Sequence, residues 1–203
     1  MFTGIIQGSF AVKGLENKEN FLEISISLPE DLRNNLQVGA SVSVDGVCLT
    51  VSKILEDMVS FNVMQETLNV TTLGNLKIGD AVNIERSLNF SSEIGGHLLS
   101  GHIDTKAKIV NISEPANNYI IKFQLESKWM KYIFSKGYVG INGASLTIVN
   151  ADKTNNTFQV YLIPDTLKLT NLKYKKENDF VNLEIDRQTQ VIVETVERVL
   201  EGR

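Results

Sequence analysis

The chain contains two copies of one pattern, and this duplication limits the folds that it can adopt. Four segments of the first half recur in the same order in the second half: 3–7 (TGIIQ) with 100–104 (SGHID), 45–51 (DGVCLTV) with 142–148 (NGASLTI), 66–73 (ETLNVTTL) with 165–172 (DTLKLTNL), and 81–85 (AVNIE) with 180–184 (FVNLE). The offset is 97 for the first two pairs and 99 for the last two. A period this long indicates a duplicated domain and not a solenoid of short repeats.

Each copy has the pattern of short β-strands. In residues 21–28 the apolar side chains alternate with polar ones, which predicts a half-buried strand. The turn pairs Asp45-Gly46 and Asn142-Gly143 each predict a β-hairpin. About six such strands per copy favour an all-β fold of two tandem six-stranded antiparallel, Greek-key-like barrels, because closure leaves no edge exposed to aggregation. A β-sandwich in each half is the alternative.

Two short helical stretches are predicted at equivalent places, after Pro29 through residue 36 and over residues 127–134, where Ser127 could serve as the N-cap. Both are expected to cover the ends of the barrels. Trp129 falls on Leu32 of the first copy, so we interpret it as a core residue.

The last stretch, residues 189–200, has no counterpart in the first half. Ile192, Val196 and Val199 recur at helical spacing, and Glu194 and Arg198 are spaced for an ion pair. Three turns of helix need a partner to pack on. We favour self-association through this helix over packing on the chain's own barrels. The predicted boundaries are 1–97 and 98–187 for the barrels and 188–203 for an oligomerisation helix.

Composition excludes several functional classes. A net charge of −4 and a pI near 5.3 disfavour nucleic-acid binding, which relies on clustered lysine and arginine. The single cysteine, Cys48, cannot form an internal disulfide and fits a reducing compartment. No apolar run reaches the roughly 20 residues that a membrane span needs, and no secretory leader is recognisable at the N-terminus. We therefore expect a cytoplasmic protein without membrane or nucleic-acid partners.

Both histidines lie in residues 93–103 (EIGGHLLSGHI). Imidazole is the side chain whose ordinary pKa is nearest neutrality, so acid-base chemistry would use His97 or His102. Their spacing of five points them to different faces of a strand, which argues against one shared metal. His102 falls on Ile5 of the first copy, so we expect only the second site to gain a titratable group.

Small polar residues occupy equivalent strands in the two copies, as Cys48-Leu49-Thr50 and as Ser145-Leu146-Thr147. Alternation points the two polar side chains of each triplet to the same side, where they would line a pocket; ordinary strand residues are the alternative. Gly4 and Gly101 begin matching segments and would let a ligand approach the backbone. Two similar sites with unequal chemistry indicate a protein that binds two similar molecules and treats them differently.

Six motifs together resemble riboflavin synthases: MFTGIIQG, GVCLTV, EIGGHLLSGHI, GASLTI, LIPDTL and EIDRQTQ. The resemblance covers essentially the whole chain. It implies two six-stranded barrels and a C-terminal helix, a homotrimer held by that helix, and an active site between the N-terminal barrel of one subunit and the C-terminal barrel of the next. The implied reaction is four-carbon transfer between two molecules of 6,7-dimethyl-8-ribityllumazine, giving riboflavin and 5-amino-6-ribitylamino-uracil without cofactor or metal. Lumazine synthase is a further partner that the family suggests.

The resemblance also implies the roles of individual residues. His102 would carry the proton, and Cys48, Ser145 and Thr147 would position or activate the second lumazine; whether the thiol adds to the ring or guides water stays open. His97 would have a supporting role at best. The residues expected to contact substrate are Gly4, Ile5, Ile6, Ser41, Leu49, Thr50, Asn62, Val63, Met64, Gln65, Glu66, Thr67, His97, Gly101, Ile103, Lys136, Leu146, Leu162, Ile163, Pro164, Asp165, Thr166, Leu167 and Asp186.

Two other functions compete with this hypothesis. Fluorescent antenna proteins that resemble the same family bind lumazine or flavin without turnover, but they have lost the GHLLSGH and SLT features that this chain keeps. A generic barrel for protein interactions would leave the matched polar residues and the imidazole unexplained.

Overall fold

The computed structural model describes residues 1–89, 93–115 and 118–202. It contains twelve strands within these ranges, six from each half of the chain. The first six are β1 (Gly8–Asn17), β2 (Phe21–Ser27), β3 (Ser41–Val44), β4 (Val47–Leu55), β5 (Met58–Met64) and β6 (Ala81–Arg86). The second six are β7 (Thr105–Ser113), β8 (Tyr119–Gln124), β9 (Tyr138–Ile141), β10 (Ala144–Asp152), β11 (Thr157–Leu162) and β12 (Phe180–Ile185).

Each set of six strands forms a closed antiparallel barrel. The first barrel has the cyclic order β1-β2-β5-β4-β3-β6, and the second barrel has the same order shifted by six, β7-β8-β11-β10-β9-β12. The predicted double barrel is confirmed, and the sandwich alternative is wrong because β6 pairs with both β1 and β3 and so closes the sheet.

Each barrel has its own hydrophobic core, built by alternation along the strands. In β2 the side chains of Leu22, Ile24 and Ile26 are buried, as the period of two predicts. The first core includes Phe61, and its copy Phe158 stacks on Phe123 in the second core with ring centroids 5.1 Å apart. The barrels therefore hold side chains and not ligands inside, which leaves their outer faces for function.

The two predicted hairpins turn at their Asp-Gly and Asn-Gly pairs. All four turn residues have positive φ, from 44° at Asn142 to 83° at Gly46, which is the geometry that favours these dipeptides. The tips of the hairpins meet between the barrels, where a Cβ added to Gly46 would lie 2.6 Å from the backbone nitrogen of Gly143. Only glycine allows the barrels to approach this closely.

Buried amide side chains join the barrels around these tips. Asn83 Nδ2 donates to the carbonyl of Asn142 at 2.9 Å, and Asn182 Nδ2 donates to the carbonyl of Asp45 at 2.8 Å. The two bonds are copies of each other, because Asn142 is the copy of Asp45 and Asn182 is the copy of Asn83. The barrels are thus related by a local twofold axis.

Asp45 breaks this symmetry with a charge. Its side chain is 1% exposed, at the base of a groove of about 760 Å³, and its Oδ1 accepts hydrogen bonds from Asn83 N and Asn171 Nδ2. Burial raises the pKa of Asp45 from 3.8 to about 6, although Lys175 and the two hydrogen bonds oppose the rise. The neutral Asn142 stands at the equivalent place in the other copy.

The short helices match the sequence prediction in part. Helix α1 (Glu30–Arg33) and a 3-10 helix (Ser127–Tyr132) lie where they are expected. The predicted cap by Ser127 is wrong, because Glu126 holds the N-cap position and makes no side-chain cap bond. Trp129 is only partly buried, packed against the second core.

Two further helices were not predicted from the sequence. These are α2 (Gln65–Val70) and α3 (Pro164–Leu169), which lie at equivalent places in the two copies. Each is followed by one turn of 3-10 helix, Thr72–Asn75 and Asn171–Tyr174. Six residues are too few to display a helical apolar period, which is why the pattern escapes detection.

The predicted C-terminal helix is confirmed as α4 (Arg187–Glu201). Val193 packs against the second core, whereas Ile192 and Val196 are 64% and 52% exposed. The expected ion pair of Glu194 with Arg198 is replaced by hydrogen bonds to Glu194 from Tyr132 Oη and Gln190 Nε2, each 2.9 Å long. Among the helices that the structure describes, none has the length and apolar character that crossing a membrane requires.

The substitution Asp45→Asn tests the buried charge. Because the pKa of Asp45 is raised in the folded state, the fold binds more protons than the unfolded chain between pH 4 and 6, and the parent loses stability as the pH rises through that window. The cost of ionisation is on the order of 3 kcal/mol. We expect the variant to equal the parent near pH 4 and to exceed it at pH 7 by up to that amount. Urea unfolding at fixed protein concentration measures this difference; parallel profiles for the two proteins would contradict it.

Candidate active site in two half-sites

The segment that precedes each barrel packs on the other barrel. Ile6 lies in the core of the second barrel, and Ile103 packs against the core of the first barrel. The two segments meet at Phe2 and Leu99, whose N–H and C=O groups exchange hydrogen bonds of 2.8 and 3.0 Å. Phe2 and Leu99 are 97 residues apart, so the local twofold axis passes between them.

A buried carboxylate holds each of these crossing segments. Glu85 Oε1 accepts from the N–H and hydroxyl of Thr3 at 2.6 and 2.7 Å, and Oε2 accepts from Gly4 N at 3.1 Å. Glu184 makes the same three bonds to Ser100 and Gly101. Burial raises the pKa of both glutamates, while these hydrogen bonds lower it. Sequence analysis missed both carboxylates, although the matched segments AVNIE and FVNLE contain them.

Gly4 and Gly101 make the crossing possible. The carbonyl of Gly4 accepts from Ser145 N, and that of Gly101 accepts from Cys48 N, each at 2.8 Å. Both glycines have positive φ, and an added Cβ would lie within 2.5 Å of the Cβ of Ser145 or Cys48. The structure thus gives a reason for both glycines that differs from ligand approach: a strand of the other barrel approaches them.

This exchange corrects the expected placement of the titratable group. Residues 101–103 lie against the first barrel, so His102 belongs to the site of Cys48 and not to that of Ser145. Ile5 lies correspondingly beside Ser145. The repeat assigned His102 to the second copy, because position along the chain does not reveal which barrel a segment packs on.

The first half-site is the outer face of β3 and β4. Ser41 pairs with Thr50, and Cys48 lies two residues earlier on the same face, while Leu49 points into the core. The preceding residue of His102, Gly101, bonds Cys48 N through its carbonyl at 2.8 Å. His102 itself is exposed, and its N–H is bonded to the hydroxyl of Ser100 at 3.2 Å. A thiol and two hydroxyls therefore share one surface, as the alternation predicts, and His102 follows directly after the glycine that is bonded to it.

The second half-site is the equivalent face of β9 and β10. Thr147 pairs with Tyr138, which stands where the first copy has Ser41, and Ser145 lies two residues before Thr147. His97 completes this face, because its ring stacks on Tyr138 with centroids 5.3 Å apart. The short segment 93–103 thus supplies one histidine to each half-site.

His97 binds Ser145 twice. Its backbone N–H donates to Ser145 Oγ at 3.1 Å, and its Nδ1 lies 2.6 Å from the same oxygen. Burial lowers the pKa of His97, although the Asp186 carboxylate opposes this effect, so the neutral imidazole is favoured near pH 7. Its Nε2 is buried without a hydrogen-bond partner among the described residues. Within that same part of the chain, no three His, Cys, Asp or Glu side chains are arranged as metal ligands.

The remaining predicted contact residues extend both faces. Asn62 and Met64 point outward at the end of β5, and Gln65, Glu66 and Thr67 form the first turn of α2. In the second barrel, the lining of a cavity of about 630 Å³ includes three of the predicted contact residues: Leu162, Pro164 and Leu167. Ile163, Asp165 and Thr166 belong to the same strand-to-helix connection.

Several predicted contact residues have side chains that face away from any ligand. They are buried in the barrel cores, so only their backbones are available to substrate: Ile6, Leu49, Val63 and Leu146. Leu162 is buried as well but lines the cavity described above.

Lys136 and Asp186 both lie near the Tyr138 end of β9: Lys136 N bonds the carbonyl of Ile148, and Asp186 follows Ile185, which pairs with Val139. Lys136 has a φ of 70°, where its first-copy equivalent is Gly39. A left-handed backbone at a residue other than glycine costs about 1 kcal/mol, which suggests that the side chain is kept for its chemistry. Asp186 is the N-cap of α4, and its Oδ2 accepts from the N–H and hydroxyl of Thr189.

The chain is similar to known proteins in domain family and in fold. The lumazine binding domain model matches the chain twice, at residues 3–87 and 100–186. Solved structures of LumP have the same fold: the complex with riboflavin has a TM-score of 0.85 at 28% identity, and the complex with 6,7-dimethyl-8-(1'-D-ribityl) lumazine has a TM-score of 0.83 at 27% identity. Each covers 92% of this chain and 100% of LumP. The chain is a double-barrel member of the lumazine-binding class.

Curated relatives identify the family within this class to which the chain belongs. Riboflavin synthase of Escherichia coli (strain K12) is 50% identical over 204 residues, covering 100% of this chain and 95% of the relative. The riboflavin synthase of Buchnera aphidicola subsp. Schizaphis graminum is 45% identical, covering 98% of this chain and 96% of the relative. The chain belongs to the riboflavin synthase family.

The substitution Lys136→Gly tests whether the Lys136 side chain is functional. Glycine relieves the strain of the left-handed backbone but increases the conformational entropy of the unfolded chain. Because these two effects oppose each other, we expect the free energy of unfolding to change by less than about 1 kcal/mol. If the ammonium group contacts substrate, the rate of riboflavin formation should fall at least tenfold, because the loss of one hydrogen bond from a charged group has an effect of about this size. The matched control is Asn178→Gly, since Asn178 also has positive φ where the first copy has glycine but lies outside both half-sites. Equal activity in the two variants would remove Lys136 from the site.

Proposed function

We propose that this chain converts two molecules of 6,7-dimethyl-8-ribityllumazine into riboflavin and 5-amino-6-ribitylamino-uracil, with one lumazine on each type of half-site. The observation that carries the proposal is the pair of equivalent outer faces with different reactive groups. A dismutation requires two identical molecules to be bound alike and treated differently. Duplicated strands explain the similar binding, and the replacement of Cys48 by Ser145 and of His102 by Ile5 explains the different treatment.

The chemistry needs a proton to leave the acidic exocyclic methyl group of one lumazine and a nucleophile to attack the ring of the other. His102 suits the proton transfer, because it is exposed, follows Gly101, whose carbonyl bonds Cys48 N, and has its backbone held on both sides. Ser145 suits the positioning of the other ring, because two contacts from His97 fix its hydroxyl. Thr147, Lys136 and Asp186 surround that second position.

Holding two bulky reactants in register supplies much of the rate. Converting a bimolecular step to an effectively intramolecular one can contribute roughly 7 to 11 kcal/mol. The predicted contact residues at the ends of β5 and β11 would fix the ribityl chains, since Asn62, Gln65, Thr67 and Thr166 present polar groups there.

Assembly would bring unlike half-sites together. The apolar stripe of α4 is exposed in the single chain, and covering it in a homotrimer would place the N-terminal barrel of one subunit against the C-terminal barrel of the next. Association with lumazine synthase and a cytoplasmic location remain predictions of the family resemblance.

Binding without turnover is the second candidate function, because the LumP structures share the fold and contain bound riboflavin or lumazine. The higher identity to riboflavin synthases and the presence of His102, Cys48 and Ser145 favour catalysis. Incubation with 6,7-dimethyl-8-ribityllumazine alone discriminates the two functions. Riboflavin formed at one molecule per two lumazines consumed supports the synthase, whereas tight binding without riboflavin supports the antenna function.

The substitution His102→Gln tests the proton carrier. We expect turnover to fall by roughly a hundredfold or more, the scale of general acid-base catalysis, because glutamine can donate a hydrogen bond but cannot accept the proton. Lumazine affinity, measured by fluorescence titration, should change little. Turnover equal to that of the parent would exclude His102 from this role.

Substitutions on α4 test the assembly. The double variant Ile192→Gln, Val196→Gln should sediment as a monomer and lose activity, because two polar side chains would interrupt the apolar stripe. Arg198→Gln is the control, since it introduces the same side chain on a different side of the helix. A double variant that still sediments as a trimer would contradict the proposed role of the stripe.

A further inference from the structure

An ion pair at the start of α4 interrupts the symmetry of the duplication. Asp104 Oδ2 accepts from Ile185 N at 2.8 Å, just as its copy Gln7 accepts from Arg86 N at 2.7 Å through Oε1. Only the second copy adds a cation, because Arg187 Nη1 donates to the other oxygen of Asp104 at 2.8 Å. The Asp104 side chain is 10% exposed and that of Arg187 is 36% exposed, so the carboxylate is shielded from water while the guanidinium is partly accessible.

The same guanidinium holds the backbone of His102. Arg187 Nη2 donates to the carbonyl oxygen of His102 at 2.6 Å. In the first copy, Ile5 has the equivalent bond at its N–H but Leu88 stands at the place of Arg187. Among the residues that the structure describes, such a hydrogen bond from an arginine side chain to the carbonyl, here called the carbonyl clamp, is found only on the crossing segment that has a histidine.

We propose that Arg187 is a positioning residue that fixes the backbone of His102 and thereby places its imidazole in the first half-site. The role of the imidazole rests on the proposed function, whereas the clamp itself does not. An exposed side chain has few contacts of its own to orient it, so its backbone determines where it can reach. Arginine suits this task because its planar fork binds the Asp104 carboxylate and the His102 carbonyl at once, which a lysine ammonium cannot do in the same geometry.

Arg187 is also the first residue of α4. It accordingly joins the helix proposed for assembly to the histidine proposed for catalysis. Nη1 also lies 2.5 Å from Gln190 Oε1 on the next turn, so the fork is held from the helix side as well.

The chain's two histidines make the clamp measurable by ¹⁵N NMR of the imidazoles in ¹⁵N-histidine-labelled full-length protein. In Arg187→Ala we expect the His102 signals to shift and broaden while those of His97 stay in place, because His97 is held by Ser145 and Tyr138. The kcat for riboflavin formation should fall roughly tenfold with KM within about twofold, below the hundredfold that a 1 Å misplacement can cost. Arg187→Lys should lie between Arg187→Ala and the parent.

The control variant is Arg33→Ala. Arg33 also donates to two backbone carbonyls, those of Leu28 and Glu56, but none of these three residues belongs to either half-site. It should lose a similar number of hydrogen bonds while leaving kcat and both histidine spectra as in the parent.

Unchanged His102 signals in Arg187→Ala would overturn the proposal at any level of activity. If Arg187→Ala also dissociates the assembly, Asp104→Asn is the deciding variant, because it weakens the ion pair without altering α4. His102 signals that shift in Asp104→Asn support the clamp, and unchanged signals refute it. If the parent protein forms no riboflavin but the His102 signals still shift in Arg187→Ala, the proposed function is refuted and the clamp is not.

Discussion

The structure depends on two carboxylates, Glu85 and Glu184, that hold the crossing segments across the local twofold axis. Each accepts three hydrogen bonds from a segment that precedes a barrel, and each segment then packs an isoleucine on the opposite barrel. These bonds fix Gly4 and Gly101 against the strands that contain Ser145 and Cys48. Both half-sites are therefore products of the contact between barrels, and neither barrel completes its own site.

Much of this organisation is visible in the sequence because it arises from local rules. Turn pairs with positive φ determine the hairpins, alternation determines which face of β4 and β10 is polar, and the offset of 97 identifies Cys48 with Ser145. Helical spacing likewise predicted α4 and the apolar stripe on one side of it. These features can be predicted without knowing which segments pack against each other, and they include most residues of the two polar faces.

The rest could not be predicted because it depends on contacts between barrels. Sequence offsets relate Gly101 to Gly4 but do not tell on which barrel either one lies, so His102 was assigned to the wrong face. Glu85 and Glu184 lie on strands where a carboxylate is ordinarily exposed, which hid their role. His97 has no copy in the first half, and its contacts with Ser145 and Tyr138 appear only after the chain has folded.

The bridge between Phe2 and Leu99 joins two residues that are copies of each other. A contact of this kind is isologous: two identical single-barrel chains could form it as a symmetric dimer. Fusion into one chain keeps that interface at a fixed effective concentration and releases its two sides from having to be identical. Asp45 opposite Asn142, and His102 opposite Ile5, are differences that a dimer of identical chains could not have. A dimer of identical chains can hold two lumazines alike, but unequal treatment within one pair of barrels requires barrels of different sequence, which the fused chain provides.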